Sequence, residues 1–306
     1  MKHVLLFFLF CVFSIGANFA QKDSTNGITY VAALEPRSFS ILNMNVVDSG
    51  NIKIFYALNA TDISNSETYD DLQCLEIGSN LSKYFSWYVY QSDSLVTDWK
   101  KKNPNAQDKE IPWKLGVKGK FDGWSEYIYS EYFKNFSKNE LTEYARMPCE
   151  LEKYNAQCSE SIPVQNWAVS DETQTVAGYS CQKATCKFRG REYTAWFTTD
   201  IPIPNGPWKF GGLPGLILKV YDKDKLFTFE CVGIENNKQK FPVEMNKVFA
   251  QYKKTDRQKL WKTKKEVQEN FHKLYQIVTG GDFFVVNSKV PGYHEEQAPY
   301  NPLELE

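Results

Sequence analysis

Between Ala195 and Asp222 the chain reads AWFTTDIPIPNGPWKFGGLPGLILKVYD, a stretch that gathers residue types able to do chemistry. With Tyr193 just ahead of it, Trp196 and Trp208 offer aromatic faces with hydrogen-bonding edges, the combination that recognises a sugar or a peptide. Lys209 adds a cation, and Asp200 and Asp222 flank the glycines as two carboxylates. Such a pair carries out glycoside hydrolysis when the fold sets the right separation. Pro202, Pro204 and Pro207 restrict the backbone, Gly206, Gly211, Gly212 and Gly215 permit angles closed to other residues, and Leu213, Leu216 and Ile217 are apolar anchors beside Pro214. Two arrangements fit this composition. In one, a rigid loop presents Trp208 and Lys209 to a partner. In the other, a tightly packed corner feeds a strand over residues 216–221, with Trp196 in the core and Asp200 and Asp222 capping turns.

Other chemistries are excluded by what the sequence lacks. The glycines match neither Gly-x-x-x-x-Gly-Lys-Ser/Thr nor Gly-x-Gly-x-x-Gly, so they form no phosphate cradle, and there is no His-Glu-x-x-His or Gly-x-Ser-x-Gly. Beyond His3 the histidines are His272, on an expected helix surface, and His294, beside Glu295 and Glu296 in a polar tail. Neither is placed as a general base or a metal ligand, and no metal or cofactor is expected. The net charge of −1 becomes −2 once Lys2 is removed with a leader, too small to direct the chain to nucleic acid or an anionic membrane surface.

That leader is expected over residues 1–20. Lys2 and His3 precede an apolar run over residues 4–13, followed by Ser14, Gly16, Ala17 and Ala20. The run is short of the ~20 residues a spanning helix needs, so it reads as a signal peptide cleaved after Ala20. Phe10 before Cys11 argues against a lipoprotein site. No later segment is apolar enough to cross a bilayer, and the expected destination is the periplasm or the exterior, with association at the outer membrane open. The remaining cysteines, Cys74, Cys149, Cys158, Cys181, Cys186 and Cys231, are even in number, which favours disulfides in an exported chain without choosing a pairing. Cys149 and Cys158 flank a short polar segment that could close as a loop. Cys181 and Cys186 lie at odd separation on one expected strand, facing opposite sides. No Cys-x-x-Cys spacing points to metal. Asn59, Asn80 and Asn135 open glycosylation sequons.

The elements that must position these residues are mostly strands. Alternation and β-branched or aromatic content predict strands over residues 28–34, 52–58, 72–77, 84–90, 127–136, 142–147, 164–169, 175–188, 193–198, 216–221 and 226–234, with a turn at Arg189-Gly190-Arg191 and a hairpin around residues 222–225. Residues 93–123 read as a short helix and a long surface loop. One main helix is expected over residues 256–279, opened by a Thr255/Gln258 capping box and closed by Gly280-Gly281. Leu260, Val267, Phe271, Leu274 and Val278 form its apolar face, and Lys259, Lys262, Lys264, Lys265 and Glu266 its solvated one. The expected fold is β-rich α+β: a mostly antiparallel curved sheet or open barrel with one main C-terminal helix, in a single domain over residues 21–290 and an extended tail over 291–306.

The stretch from Gly206 to Leu218 resembles the motif that names the GLPGLI family of exported bacterial-envelope proteins, and Ala195-Trp196-Phe197 with Ile201-Pro202 resembles the family's upstream block. Gly178-Tyr179, Cys181 and Lys183-Ala184 are similar to the preceding strand, and Asn301-Pro302-Leu303-Glu304 to the usual ending. The resemblance covers roughly residues 167–234 and the tail. It implies an exported envelope protein and carries no particular activity. The expected function is binding or assembly in the cell envelope through recognition of a peptide, glycan, lipid or envelope protein, with a carboxylate-dependent hydrolase or a structural envelope component as the alternatives. A cleft holding two carboxylates, one of them in apolar surroundings, would favour the hydrolase.

Overall fold

The structure, a computed structural model, describes residues 20–22, 29–31, 33–112, 115–117, 119–120, 123–281, 295–296 and 300–306. The expected leader before Ala20, and His294, lie outside the described residues. Strands β1 (Ala20–Lys22), β2 (Thr29–Val31) and β15 (Glu295–Glu296) pair as a small separate sheet. The main sheet has twelve strands: β3 (Met44–Leu58), β4 (Asp71–Gly78), β5 (Leu81–Ser86), β6 (Ser130–Asn135), β7 (Glu140–Ala145), β8 (Ala156–Ser161), β9 (Ala168–Val176), β10 (Tyr179–Phe188), β11 (Arg191–Thr198), β12 (Leu216–Asp222), β13 (Thr228–Asn246) and β14 (Lys253–Lys254). Their order is β14-β8-β7-β6-β5-β4-β3-β13-β12-β11-β10-β9, antiparallel except for the β14–β8 pair. The fold is therefore β-rich α+β with an open sheet.

The sheet curls strongly. Arg189, in the turn after β10, reaches Glu160 on β8, near the opposite end of the strand order, at 2.5 Å. Inside the curl Tyr56, Tyr84, Tyr132, Phe197, Phe229 and the corner residues Trp208, Phe210 and Leu213 share one apolar core. A second cluster packs Leu260, Val267 and Phe271 against Ala145, Met147 and Ala156. No helix among the described residues is long and apolar enough to cross a membrane.

Local chemistry sets several boundaries. The expected strand over residues 175–188 is a hairpin, because Ala177 (φ 49°) and Gly178 (φ 84°) make a two-residue turn with both φ positive, the hand that matches strand twist. Arg189 (φ 49°) and Gly190 (φ 79°) repeat it between β10 and β11. The expected strand over residues 84–90 instead changes to a helix at Ser86, whose hydroxyl accepts from Val89 N at 3.0 Å and caps α1 (Trp87–Lys102). The aromatic run that reads as β is accommodated by stacking Trp87 on Tyr90, with ring centroids 5.3 Å apart.

The C-terminal helix is two helices, α2 (Arg257–Glu269) and α3 (Phe271–Thr279), interrupted at Asn270 (φ −126°, ψ 31°). Asp256, rather than Thr255, caps α2 by accepting from Lys259 N at 2.8 Å, and Gly280 ends α3 at φ 70°. Lys264, expected on the solvated face, is buried.

Among the described residues six cysteines carry free thiols, so neither a Cys149–Cys158 loop nor any other pairing among them is formed. Five are buried and serve as small core residues. Cys181 and Cys186 both point inward, against the odd-spacing expectation, because a bulge between Gln182 and Ala184 shifts the strand's phase.

Candidate functional site

The glycine-rich segment is a packed corner inside the curl. Trp208, at φ 50°, is 2% exposed and sits edge-on to Phe210 and Phe188 at 5.1 and 5.8 Å. Such a backbone angle on an aromatic residue persists only where packing over-determines it. Polar side chains from three directions fix the corner. Lys134 on β6 donates to Asn205 Oδ1 at 2.8 Å and Phe210 O at 2.5 Å, Asn205 Nδ2 donates to Ser82 Oγ at 2.9 Å, and Trp167 Nε1 donates to Gly211 O at 2.8 Å. Burial lowers the Lys134 ammonium to about 7. Gly215 answers a close approach, since a Cβ there would lie 2.0 Å from Thr198 O.

The residues singled out from sequence therefore lie mostly in the interior. Trp196, Tyr193, Lys209 and Asp222 are buried with Trp208, while Asp200 is exposed. The surface platform of Trp208, Trp196 and Tyr193 is not formed, because the curl encloses them. Nor do Asp200 and Asp222 make a carboxylate pair. Asp222 pairs with Tyr193 at one end of the β11–β12 ladder, and Asp200 lies past its other end at Thr198, so about 20 Å of strand separates them. Asp222 accepts from Arg191 Nη1 at 3.1 Å and from Phe227 N at 2.8 Å, which pins the β12–β13 turn. Gly206, Pro207, Gly212, Leu213, Pro214, Gly215, Leu216 and Ile217 build the corner itself.

Four carboxylates, Glu35, Asp70, Asp71 and Asp93, instead line a cavity of about 190 Å³, roomy enough for several waters or a small polar ligand. Asp71, at the head of β4, is 1% exposed; Ser86 Oγ donates to its Oδ1 at 2.8 Å, while its Oδ2 is buried with no hydrogen-bond partner. Burial lifts this carboxyl to about 8, so it holds its proton at neutral pH and can donate. Burial also lifts Asp70 above its ordinary value, against the opposing hydrogen bond from Asn59 Nδ2 at 2.9 Å. Asp93, on the inner face of α1, takes a forked pair of hydrogen bonds from Arg146, at 2.9 and 3.1 Å, and one from Phe39 N at 2.9 Å. This planar fork fixes both partners.

Ser38, Tyr88, Ser92 and Tyr129 bring hydroxyl-bearing side chains to the cavity's lining. Ser92 Oγ both donates to Val117 O and accepts from Val117 N, at 3.0 and 2.9 Å, fastening the loop to α1. Further along, Lys120 N donates to Tyr69 O at 2.7 Å, and a Cβ on Gly119 would lie 2.2 Å from Asp70 O. Only glycine lets the loop close down there. Among the described residues no group of three or more His, Cys, Asp or Glu is arranged to hold a metal. The cavity's chemistry is that of hydrogen bonding to a polar, hydroxyl-rich ligand, with a proton donor at Asp71 and an anchored carboxylate at Asp93.

Sequence reasoning overlooked this site, although signals existed. Asp93 with Val89, Val96 and Thr97 falls on one helical stripe, a pattern hidden by reading residues 84–90 as a strand. Arg146 interrupts an apolar run, and Asp70-Asp71 opens one.

The family model described as the N-glycanase peptide N-terminal domain matches residues 122–259. That stretch contains Tyr129, Arg146 and the whole corner, but neither Asp71 nor Asp93. Two solved structures of PNGF-II, in the P21 and C2 space groups, are each 15% identical to this chain, with TM-scores of 0.45 and 0.44. Each comparison covers 73% of this chain and 34% of the other, so the chain spans about a third of the length of those structures. No curated protein matches.

Proposed function

We propose that this chain is an exported cell-envelope protein of the GLPGLI type that binds a carbohydrate in the cavity of Asp71 and Asp93. The observation that carries the proposal is the cavity itself, about 190 Å³ with Asp70, Asp71, Asp93, Ser92, Tyr88 and Tyr129 in its lining. The aromatic and hydroxyl-bearing walls suit a sugar ring, and the match over residues 122–259 to a family described by an N-glycanase supports a glycan as the ligand class.

The test is calorimetric titration with a panel of oligosaccharides containing N-acetylglucosamine, using the wild type and Asp71→Leu. Saturable binding by the wild type that falls at least tenfold in the variant is the expected result. A folded wild type that binds none of the panel sinks the proposal. Export predicts a mature N-terminus at Gln21, read by N-terminal sequencing of protein recovered from the envelope fraction; an uncleaved chain refutes it.

Carboxylate-dependent hydrolysis is a second reading, favoured by one observation: a protonated Asp71 and the Arg146-paired Asp93 line the same cavity, the division of roles that acid–base chemistry needs. Mass spectrometry of the same oligosaccharides after incubation separates it from binding alone, because only hydrolysis yields cleaved products that disappear in Asp71→Asn.

A further inference from the structure

The tail at Tyr300–Glu306 crosses a groove built from the β10–β11 turn, β11, the glycine-rich corner, α2 and Glu126. It belongs to neither sheet nor helix, so side chains take the place of a ladder in satisfying its backbone. Arg191 Nε and Nη2 donate to Pro302 O at 3.1 and 2.7 Å, and Leu303 N donates to Glu126 Oε1 at 3.2 Å. Tyr193 OH donates to Leu303 O at 3.0 Å, and Trp261 Nε1 donates to Glu304 O at 3.0 Å. Leu305 N donates to Arg189 O at 2.9 Å, and beside it a Cβ on Gly190 would come within 2.8 Å of the Leu305 side chain. This is the hydrogen-bonding style of a peptide-recognition site, in which fixed side chains read an extended backbone.

Side-chain selectivity is present as well. Leu303 is buried at 2% exposure. Lys209 Nζ and Arg257 Nη1 grip the two oxygens of Glu304 at 2.5 and 3.0 Å. Around the groove Lys209, Lys264, Arg189 and Arg191 pair with Glu126, Glu143, Glu160 and Asp222, and Arg257 pairs with Glu304 of the tail. An empty groove would leave Arg257 without the carboxylate it pairs with and Lys209 with one fewer, so the site favours an acidic occupant.

We propose that this groove is a peptide-binding site selective for an extended Pro-Leu-Glu segment, filled in cis by residues 302–304 and able to take the same segment in trans from a second copy of the chain. It lies apart from the Asp71 cavity and stands independently of the carbohydrate reading. Three of the residues chosen from sequence for partner binding, Tyr193, Trp208 and Lys209, line or bond this groove.

The test uses the full chain with its own tail weakened, Leu303→Ala together with Glu304→Ala, and a fluorescently labelled hexapeptide of residues 301–306. The expected result is saturable binding to this variant. Binding to the wild type should be at least tenfold weaker, because there the tethered tail competes at a local concentration of about millimolar. The same peptide carrying Glu304→Lys should bind the variant at least tenfold more weakly. A folded variant that ignores the peptide, or binds both peptides alike, overturns the proposal. If the variant does not fold alone, its melting transition is followed with millimolar hexapeptide: restoration supports the site, and no restoration refutes it.

Discussion

Asp71→Asn offers the sharpest test of the cavity. Asparagine keeps the shape and an oxygen to accept from Ser86, yet never ionises. In the fold the Asp71 carboxyl titrates at about 8, whereas in the unfolded chain an aspartate titrates near 4. Between those values the folded state keeps a proton that the unfolded state has lost. The stability contributed by the protonated acid is therefore complete below about pH 4 and is lost as pH rises through about 8. Each pH decade in that window is worth about 1.4 kcal/mol, which sets a ceiling of about 5 kcal/mol. Water entering the cavity raises the effective dielectric, so a realised effect of about 2–3 kcal/mol is expected. At pH 8.5 Asp71→Asn should thus be the more stable protein by that amount, and at pH 4 the two should be equal. At about 2 °C per kcal/mol for a chain of this size, the gap at pH 8.5 is about 5 °C in Tm. Melting curves for both proteins between pH 4 and 9 measure it. Parallel curves, or a gap that closes as pH rises, would refute the reasoning that Asp71 is held as the neutral acid.

The corner and the thiols make further predictions. Trp208→Ala removes a fully enclosed ring and should cost about 3–5 kcal/mol, read from the urea midpoint; wild-type stability would contradict its place in the core. Gly215→Ala drives a methyl against Thr198 O and should cost about 2 kcal/mol or more, seen as a lowered Tm, with an unchanged Tm counting against the close approach. Lys134 titrates at about 7 in the fold and near 10 when unfolded, so the unfolded state binds the extra proton between them and the wild type should gain stability from pH 7 to 9.5. Lys134→Met should flatten that rise in urea midpoints, and an identical slope in both proteins would remove the claim. The mature chain, unfolded without reductant, should titrate six thiols with a thiol reagent; fewer would show that cysteines pair after all.

How far the sequence reaches depends on the range of the interactions involved. Strand periodicity located β4, β11 and β12 nearly to the residue, because alternation along a half-buried strand is a local property. The end of α3 at Gly280 was legible for the same reason: a left-handed cap is written in one residue. Where local signals competed, the sequence misled. The aromatic run before Asp93 satisfies β preference as well as helix stacking, and the Ser86 cap settles which is realised. A bulge at Gln182 moved Cys186 onto the same face as Cys181, a shift no spacing rule contains.

By itself, then, the sequence determined the β-rich class, the distinctive glycine-rich stretch and the positions of many strands, since each follows from residue types a few places apart. Only the tertiary structure decided what those residues face. The curl of the sheet enclosed Trp208 and Lys209 and put Asp200 and Asp222 at opposite ends of a ladder. It also placed Asp71 on the same cavity as Asp93, a residue of a helix the sequence had hidden, and laid the tail across Lys209 and Arg257. Burial and charge pairing are sums over contacts between distant parts of the chain, and no local window of sequence holds them.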